Sequence, residues 1–397
     1  MTVAWLRVRL ACGLLFVLLA VHVVILIDTR FSWQLTLLAS EYGHRLAVLA
    51  LVLASLGIGV RGKVTHMGTA LLLTSAAVLL TPACQMYAIA GSLPSRLQAA
   101  FGVQGGQDVE RPSFTGLWPG VGKPVQKAPE KFVFSQEGGD RHIHFFRAET
   151  GQKNAPCLVV IHGGGWENGS ATEFPEWNAH WSREGYAVAC VEYRLAPRFI
   201  WPAARDDLRE ALAWLKAHAD DLGIDATRFV LLGRSAGGQI ASACATTFHD
   251  PSIRGCIAIY APHDMFFARR FAYDEDVLGS RRLLRNYLGG DPDTAGEAYR
   301  GASAFMLADE HTCPVLLLHG TRDTFVWNMQ SRRFAQRLQS LKVPHHLIEM
   351  PWAVHGFDWP YDGPGGQITR MATEYFLQAV TSKPPGETSL PSTAAAR

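Results

Sequence analysis

The residues best suited to chemistry lie in Gly233-Arg234-Ser235-Ala236-Gly237-Gly238, which follows the apolar run Phe229–Leu232 and opens a small-residue helical pattern, Gly237–Thr247. A serine hydroxyl is a poor nucleophile unless it is openly presented and has a base beside it. A sharp turn from strand to helix supplies the presentation. Gly233 and Gly237 let the turn pack tightly, and the Ala236 amide at the helix start is aimed at an oxyanion. G-x-S-x-G alone is a common string. Its place between a buried strand and a helix is what makes it informative.

A second stretch supplies the donors such a serine needs. Leu158–Ile161 reads as a strand and runs into His162-Gly163-Gly164-Gly165-Trp166. Without Cβ atoms, glycine amides can approach a substrate oxygen closely. Gly164 and Gly165 are the expected donors beside Ala236. His162 is expected to brace this loop by hydrogen bonding and not to serve as the base, and Trp166 either lines a pocket or packs. The base and its orienting acid should follow, each just past a strand. Val315–His319 leads to Gly320-Thr321-Arg322-Asp323, and His346–Met350 leads to His355-Gly356-Phe357. The order Ser235, Asp323, His355 is the one this motif predicts. Asp358, Asp309, His319, His345 and His346 are rivals by type, read here as surface or strand residues.

These groups would carry out two-step acyl transfer. His355 takes the Ser235 proton as the hydroxyl attacks a carbonyl, Asp323 holds the imidazole tautomer, and water then releases the acyl group. No metal or other cofactor is needed. His142-x-His144 and His345-His346 lack a coordinating context, and no H-E-x-x-H occurs. Gly120-Val121-Gly122-Lys123 fails as a phosphate loop, because Leu117 stands at the first glycine position and Pro124 replaces the Ser/Thr.

The elements that must position these residues alternate along the chain from about residue 130. Strands are expected at Lys131–Ser135, His142–Arg147, Leu158–His162, Ala187–Glu192, Phe229–Leu232, Cys256–Tyr260, Val315–His319 and His346–Met350. Helical patterns fall at Ala203–His218, Gly237–Thr247 and Ser331–Ser340. The alternation argues for a mostly parallel sheet with helices on both faces, the first two strands forming a hairpin at its edge. Residues 263–312 either form a lid or pocket wall or only cover the sheet. The seven cysteines form no C-x-x-C pair, so zinc-ribbon and thioredoxin chemistry lack their signature; they read as small buried hydrophobes, with a disulfide of unassigned pairing as the alternative if the domain faces an oxidising compartment.

Several quoted segments together resemble a known family. His162-Gly163-Gly164-Gly165-Trp166, Gly233 to Gly238, His319 to Asp323 and His355-Gly356-Phe357 look like α/β-hydrolase esterases of the carboxylesterase/lipase group with an H-G-G-G oxyanion motif, near the hormone-sensitive-lipase-like enzymes. Tyr193-Arg194-Leu195-Ala196-Pro197, then Trp201-Pro202-Ala203-Ala204 and Asp207, fit the same pattern. The resemblance covers roughly residues 130–380. It implies an α/β-hydrolase fold, Ser235 as nucleophile, His355 as base, Asp323 as its partner and oxyanion amides from the glycine loop. It also implies small-molecule or lipid carboxylic esters, with short to medium acyl chains, as substrates. An amidase-like hydrolase of formamidase or peptidase type is the alternative within enzymes, and a non-catalytic membrane receptor the alternative outside them. One departure is Arg234, where many members carry an acid.

The first quarter of the chain lies outside that resemblance. Residues 1–95 hold only eight charged side chains, and the rest carries 31 basic and 33 acidic residues, a balance that excludes a basic nucleic-acid-binding body. Uncharged runs at Leu10–Ile27, Leu46–Val60 and Val64–Ala90 predict three membrane spans at about 8–27, 42–60 and 66–90. A linker at 91–129 follows, then a catalytic domain over 130–382 and a tail at 383–397. Arg7 and Arg9 share a side with Arg61 and Lys63, so the N-terminus is expected in the cytoplasm and the catalytic domain outside it. With no expected catalytic residue before residue 90, removing that segment is expected to release a soluble domain.

Overall fold

The computed structural model describes residues 3–25, 29–57, 60, 62–102, 109–118, 128–151 and 153–382. The Gly120–Lys123 string, Arg61, most of the expected linker after residue 102 and the tail at 383–397 lie outside the described residues.

Four helices come first: α1 (Val3–Val24), α2 (Arg30–Glu41), α3 (Gly43–Ser55) and α4 (Lys63–Phe101). There follow β1 (Glu130–Ser135), β2 (Arg141–Phe146), β3 (Ala155–Ile161), α5 (Pro175–Arg183), β4 (Ala187–Val191), α6 (Ala203–Ala217), α7 (Ala219–Leu222), β5 (Ile224–Arg234) and α8 (Ala236–Ala245). The chain continues through β6 (Ile253–Ile259), α9 (Met265–Phe271), α10 (Ser280–Leu288), α11 (Gly296–Gly301), α12 (Ala304–Leu307), β7 (Val315–Gly320), α13 (Met329–Ser340), β8 (His345–Met350) and α14 (Pro364–Thr381).

The eight strands form one sheet in the order β1-β2-β4-β3-β5-β6-β7-β8. The β1–β2 hairpin is antiparallel at one edge, β2 is antiparallel to β4, and the remaining pairs are parallel. Central strands are buried on both faces, so they read as unbroken apolar runs. Strand alternation splits their side chains between two cores. Val159, Leu231, Ala258 and Leu317 face α6, α8 and α13, while Val160, Leu232, Ile257 and Leu318 face α5 and α14. The four helices α9 to α12 occupy residues 263–312, the segment whose role the sequence leaves open.

The N-terminal quarter departs from expectation in three ways. First, among the described residues only α1 and α4 are long and apolar enough to cross a membrane, and a third crossing requires α2 and α3, bent by 73°, to count as one span. The expected span at 42–60 is the thirteen-residue α3, about 20 Å long and short of a hydrocarbon core of about 30 Å. Second, α4 continues to Phe101 with Pro82 and Pro94 inside it, so residues 91–101 are helix and not linker. Third, the bundle is not separable. Ala83, Met86, Leu93 and Leu97 of α4 share a core with Phe357, Phe376 and Ile368. The buried Glu41 carboxyl group accepts hydrogen bonds from Trp352 Nε1 (3.0 Å) and the Gly365 amide (2.8 Å). Removing 1–90 strips the Glu41, Ala83 and Met86 contacts from the rest of the chain and leaves Leu93 and Leu97.

The two ends of the bundle are distinct. Arg9 near the start of α1 donates to the Leu53 and Ala54 carbonyls at the end of α3 and to Thr69 Oγ1 in α4. The chain therefore passes from that end through α1, returns through α3 and leaves it again through α4, with α2 lying across the other end.

Candidate active site

Ser235 sits where β5 meets α8, with φ 52° and ψ −119°. A positive φ is strained for a side chain other than glycine, and it persists only where packing over-determines it. Here the packing is tight enough: a Cβ on Gly233 would overlap the Gly237 carbonyl, and one on Gly237 would overlap the Ile161 and His162 carbonyls. The elbow is thereby pressed between β5 and the end of β3, and the partly exposed hydroxyl projects at the carboxyl ends of the strands.

β7 and β8 deliver the other two groups to that edge. Ser235 Oγ donates to His355 Nε2 at 3.0 Å, and His355 Nδ1 donates to Asp323 Oδ2 at 2.7 Å. Asp323 Oδ1 accepts the Phe325 and Val326 amides, each at 2.9 Å. Burial alone would raise the Asp323 carboxyl, but the His355 charge and hydrogen bonds from His319 and His355 outweigh it and hold it at about 2. It is therefore a carboxylate at neutral pH, able to stabilise an imidazolium.

The glycine loop lies beside the elbow. An added Cβ on Gly163 would come within 3.2 Å of the Arg234 carbonyl, and Gly164 and Gly165 adopt φ of 106° and 60°. Neither the Gly164 nor the Gly165 amide donates to an acceptor among the described residues, and Ala236 opens α8, where helix amides lack intrahelical partners. His162 Nδ1 bonds the Gly163 carbonyl at 2.8 Å, and its ring stacks on Tyr193 at 4.3 Å. Burial lowers His162 to about 4, so it stays neutral. Trp166 does both things the sequence allowed it: it lines the pocket, and it donates to Gln239 Oε1 (2.9 Å) while stacking on Tyr287.

The pocket at Ser235 has a volume of about 150 Å³ and runs from Gly165 and Ala236 to Phe267, Phe271 and Leu284. Residues 263–312 thus supply one wall of it, through α9 and α10. A larger cavity of about 580 Å³ lies near Pro251, Pro314 and Pro344, at the amino ends of strands, away from the edge where ligands bind in such sheets.

The rivals fall into place, with one correction. Asp309 pairs with His249 at 3.1 Å. His319 is buried and bonds Ser331 Oγ and the Val326 carbonyl. Asp358, expected near the surface, is fully buried: its Oδ2 accepts from Arg234 Nε (2.6 Å) and its Oδ1 from Tyr260 Oη (2.7 Å). The Arg234 guanidinium also lies over the Phe174 ring at 4.1 Å. Arg234 is thus neutralised below the elbow and does not charge the pocket. Burial keeps Tyr260 a phenol, and its ring packs on His355 at 4.5 Å. Sequence reasoning missed this brace, since Arg234 and Asp358 stand 124 positions apart. His142 and His144 both bind the Glu192 carboxylate.

The sheet order, the elbow and the converging strand ends define the α/β-hydrolase fold. An esterase structure from Pyrobaculum calidifontis shares it, with a TM-score of 0.56 at 22% identity over 65% of this chain and 87% of that one. A family model described as BD-FAE matches residues 143–338. Esterase LipC of Mycobacterium tuberculosis is 29% identical over 254 residues, 59% of this chain and 60% of that protein. Probable carboxylic ester hydrolase LipM of the same organism is 28% identical over 267 residues, 62% of this chain and 60% of that protein. The match thus spans 60% of the length of each of these two relatives.

Proposed function

We propose that the protein is a serine hydrolase that cleaves carboxylic esters, with Ser235 as nucleophile, His355 as general acid and base, and Asp323 as its orienting partner. The observation that carries the reading is the unbroken hydrogen-bond chain from Ser235 Oγ through His355 to Asp323, in a fold shared with esterases.

The Ser235 oxygen attacks the ester carbonyl while its proton passes to His355 Nε2. The carbonyl oxygen becomes an oxyanion held by the Gly164, Gly165 and Ala236 amides. The carbon–oxygen bond then breaks, and the alcohol leaves with the proton from His355. Water repeats the sequence on the acyl-enzyme and releases the acid. A pocket of about 150 Å³ closed by Phe267 and Leu284 suits short to medium acyl groups. Helices α1 and α4, with α2 and α3 together as one bent span between them, carry the chain across a membrane three times, with the N-terminus in the cytoplasm and the catalytic domain outside, following Arg7, Arg9 and Lys63.

A fluorophosphonate probe tests the assignment. It should label the wild type and not Ser235→Ala, and the variant should lose activity on p-nitrophenyl butyrate by about 10⁴-fold. Full labelling of the variant refutes it.

A further inference from the structure

Helix α2 reverses much of the usual pattern. It buries Ser32, Thr36, Ser40 and Glu41, with Ala39, against the protein and turns Phe31 (69% exposed) and Leu38 (40% exposed) outward, with Gln34 between them and Arg30 at the helix start. A helix on a water-facing surface does the reverse. Apolar residues facing out and polar residues facing in are what a helix surrounded by hydrocarbon requires.

This helix touches the catalytic loops. Trp33 Nε1 donates to the His355 carbonyl at 2.9 Å, and the Trp33 ring packs on Phe325 at 5.1 Å. Phe325 in turn lies 5.4 Å from the His355 ring and lines the pocket. The acid loop is tied down beside it. Arg322, one position before Asp323, donates to the His22, Val23 and Ile25 carbonyls at the end of α1. The 22 residues of α1 span about 33 Å, close to a hydrocarbon thickness of about 30 Å. The end that Arg322 caps therefore lies at the membrane surface, and so do Asp323 and His355. At the pocket rim, Tyr273 (66% exposed), Trp327 (48%) and Phe271 (42%) stand open, the aromatic composition of a membrane interface.

We infer that the site takes its substrate from the bilayer. The substrate class is an amphiphilic ester of a short acid with a long apolar alcohol: the acyl group fills the pocket, and the alcohol chain stays in lipid along the outward face of α2. This rests on the esterase and membrane readings proposed above and adds a route and an alcohol to them.

The full chain in phosphatidylcholine vesicles tests it with two esters of one acid, oleyl butyrate carried in the membrane and p-nitrophenyl butyrate in water. The wild type should cleave both. Replacing the outward face, by Phe31→Gln with Leu38→Gln, should lower oleyl butyrate turnover about tenfold and leave p-nitrophenyl butyrate turnover unchanged, since neither residue lines the pocket. Equal loss on both esters, or loss on neither, overturns the route. A second measurement needs no variant: enzyme in one vesicle population and oleyl butyrate in another should give negligible hydrolysis until the vesicles are fused. Equal rates before and after fusion overturn the inference, as does p-nitrophenyl butyrate cleavage with no oleyl butyrate cleavage in shared vesicles. Cleavage of neither ester overturns the esterase reading itself.

Discussion

Two buried aspartates near His355 should fail in opposite ways when each is changed to asparagine. Asp323 Oδ1 is held by two backbone amides at 2.9 Å, so Asp323→Asn keeps its oxygen there and swings its NH₂ to the Oδ2 position. That NH₂ then faces His355 Nδ1, which must accept, leaving the proton on Nε2, where it cannot take one from Ser235. Such tautomer reversal lowers kcat about 10⁴-fold. The loss of stability is bounded by the shift of the carboxyl from 3.8 to about 2, worth about 2 kcal/mol. Asp358→Asn leaves the Arg234 guanidinium, 4% exposed, without a counter-charge. Breaking a buried pair from one side costs about 3–5 kcal/mol, or roughly 6–20 °C in Tm for a domain of this size. Its folded fraction should keep kcat within about tenfold, because Tyr260 still backs the His355 ring. The assay pairs p-nitrophenyl butyrate kinetics with thermal unfolding in the same detergent. Asp358→Asn with wild-type Tm and kcat lowered as far as expected for Asp323→Asn would refute the reasoning and move the orienting acid.

Other outcomes follow from the same contacts. The Asp323 contribution to stability is present above the ordinary carboxyl value of 3.8 and is lost as pH falls towards about 2. Urea midpoints of the wild type and Asp323→Asn should therefore differ at about pH 6 and converge near pH 2, and a gap that widens on acidification contradicts this. Deleting residues 1–90 should give aggregated protein, because it uncovers the core that α4 shares with α14; a monodisperse domain with wild-type turnover contradicts this. Protease added to spheroplasts should digest the catalytic domain, and protection until the membrane is permeabilised would reverse the proposed orientation.

The elbow, the glycine loop, Asp323 and His355 were legible because each is a local event. An apolar strand ends, and the residue needed stands within a few positions of its end. The strands were legible for the same reason, since burial on both faces leaves runs such as Val315–Leu318 without polar interruption. What the sequence hid is long-range or reversed in sign. Trp33 meets His355 across 322 positions. Helix α2 escaped a search for long uncharged runs, because Arg30 and Glu41 bound an uncharged stretch of only ten residues. The linker was expected to begin at residue 91, yet α4 continues through Gly91 and Pro94, held by packing of Leu93 and Leu97 on the rest of the chain. Tertiary burial there outweighs local propensity.

The loops that carry the three proposed catalytic residues are supported unequally, and this bears on why the proposed hydrolase domain should be fused to a helix bundle. Ser235 is fixed from within by the overlap of Gly233 with Gly237 and of Gly237 with the end of β3. Nothing from α1 or α2 is needed to hold its strained φ. Asp323 and His355 lie instead on loops whose outer sides meet α1 through Arg322 and α2 through Trp33. The proposed proton pathway therefore depends on the bundle, while the proposed nucleophile does not. Small displacements of a base from its partners are costly to rate, because near-attack geometry is lost before binding is. A shift of α2 should thus show first as a fall in kcat with fluorophosphonate labelling slowed and KM little changed. On the proposed reading the bundle acts as a positioning element for the base and acid, so that one contact set would hold both the membrane-facing side of α2 and the geometry of the site.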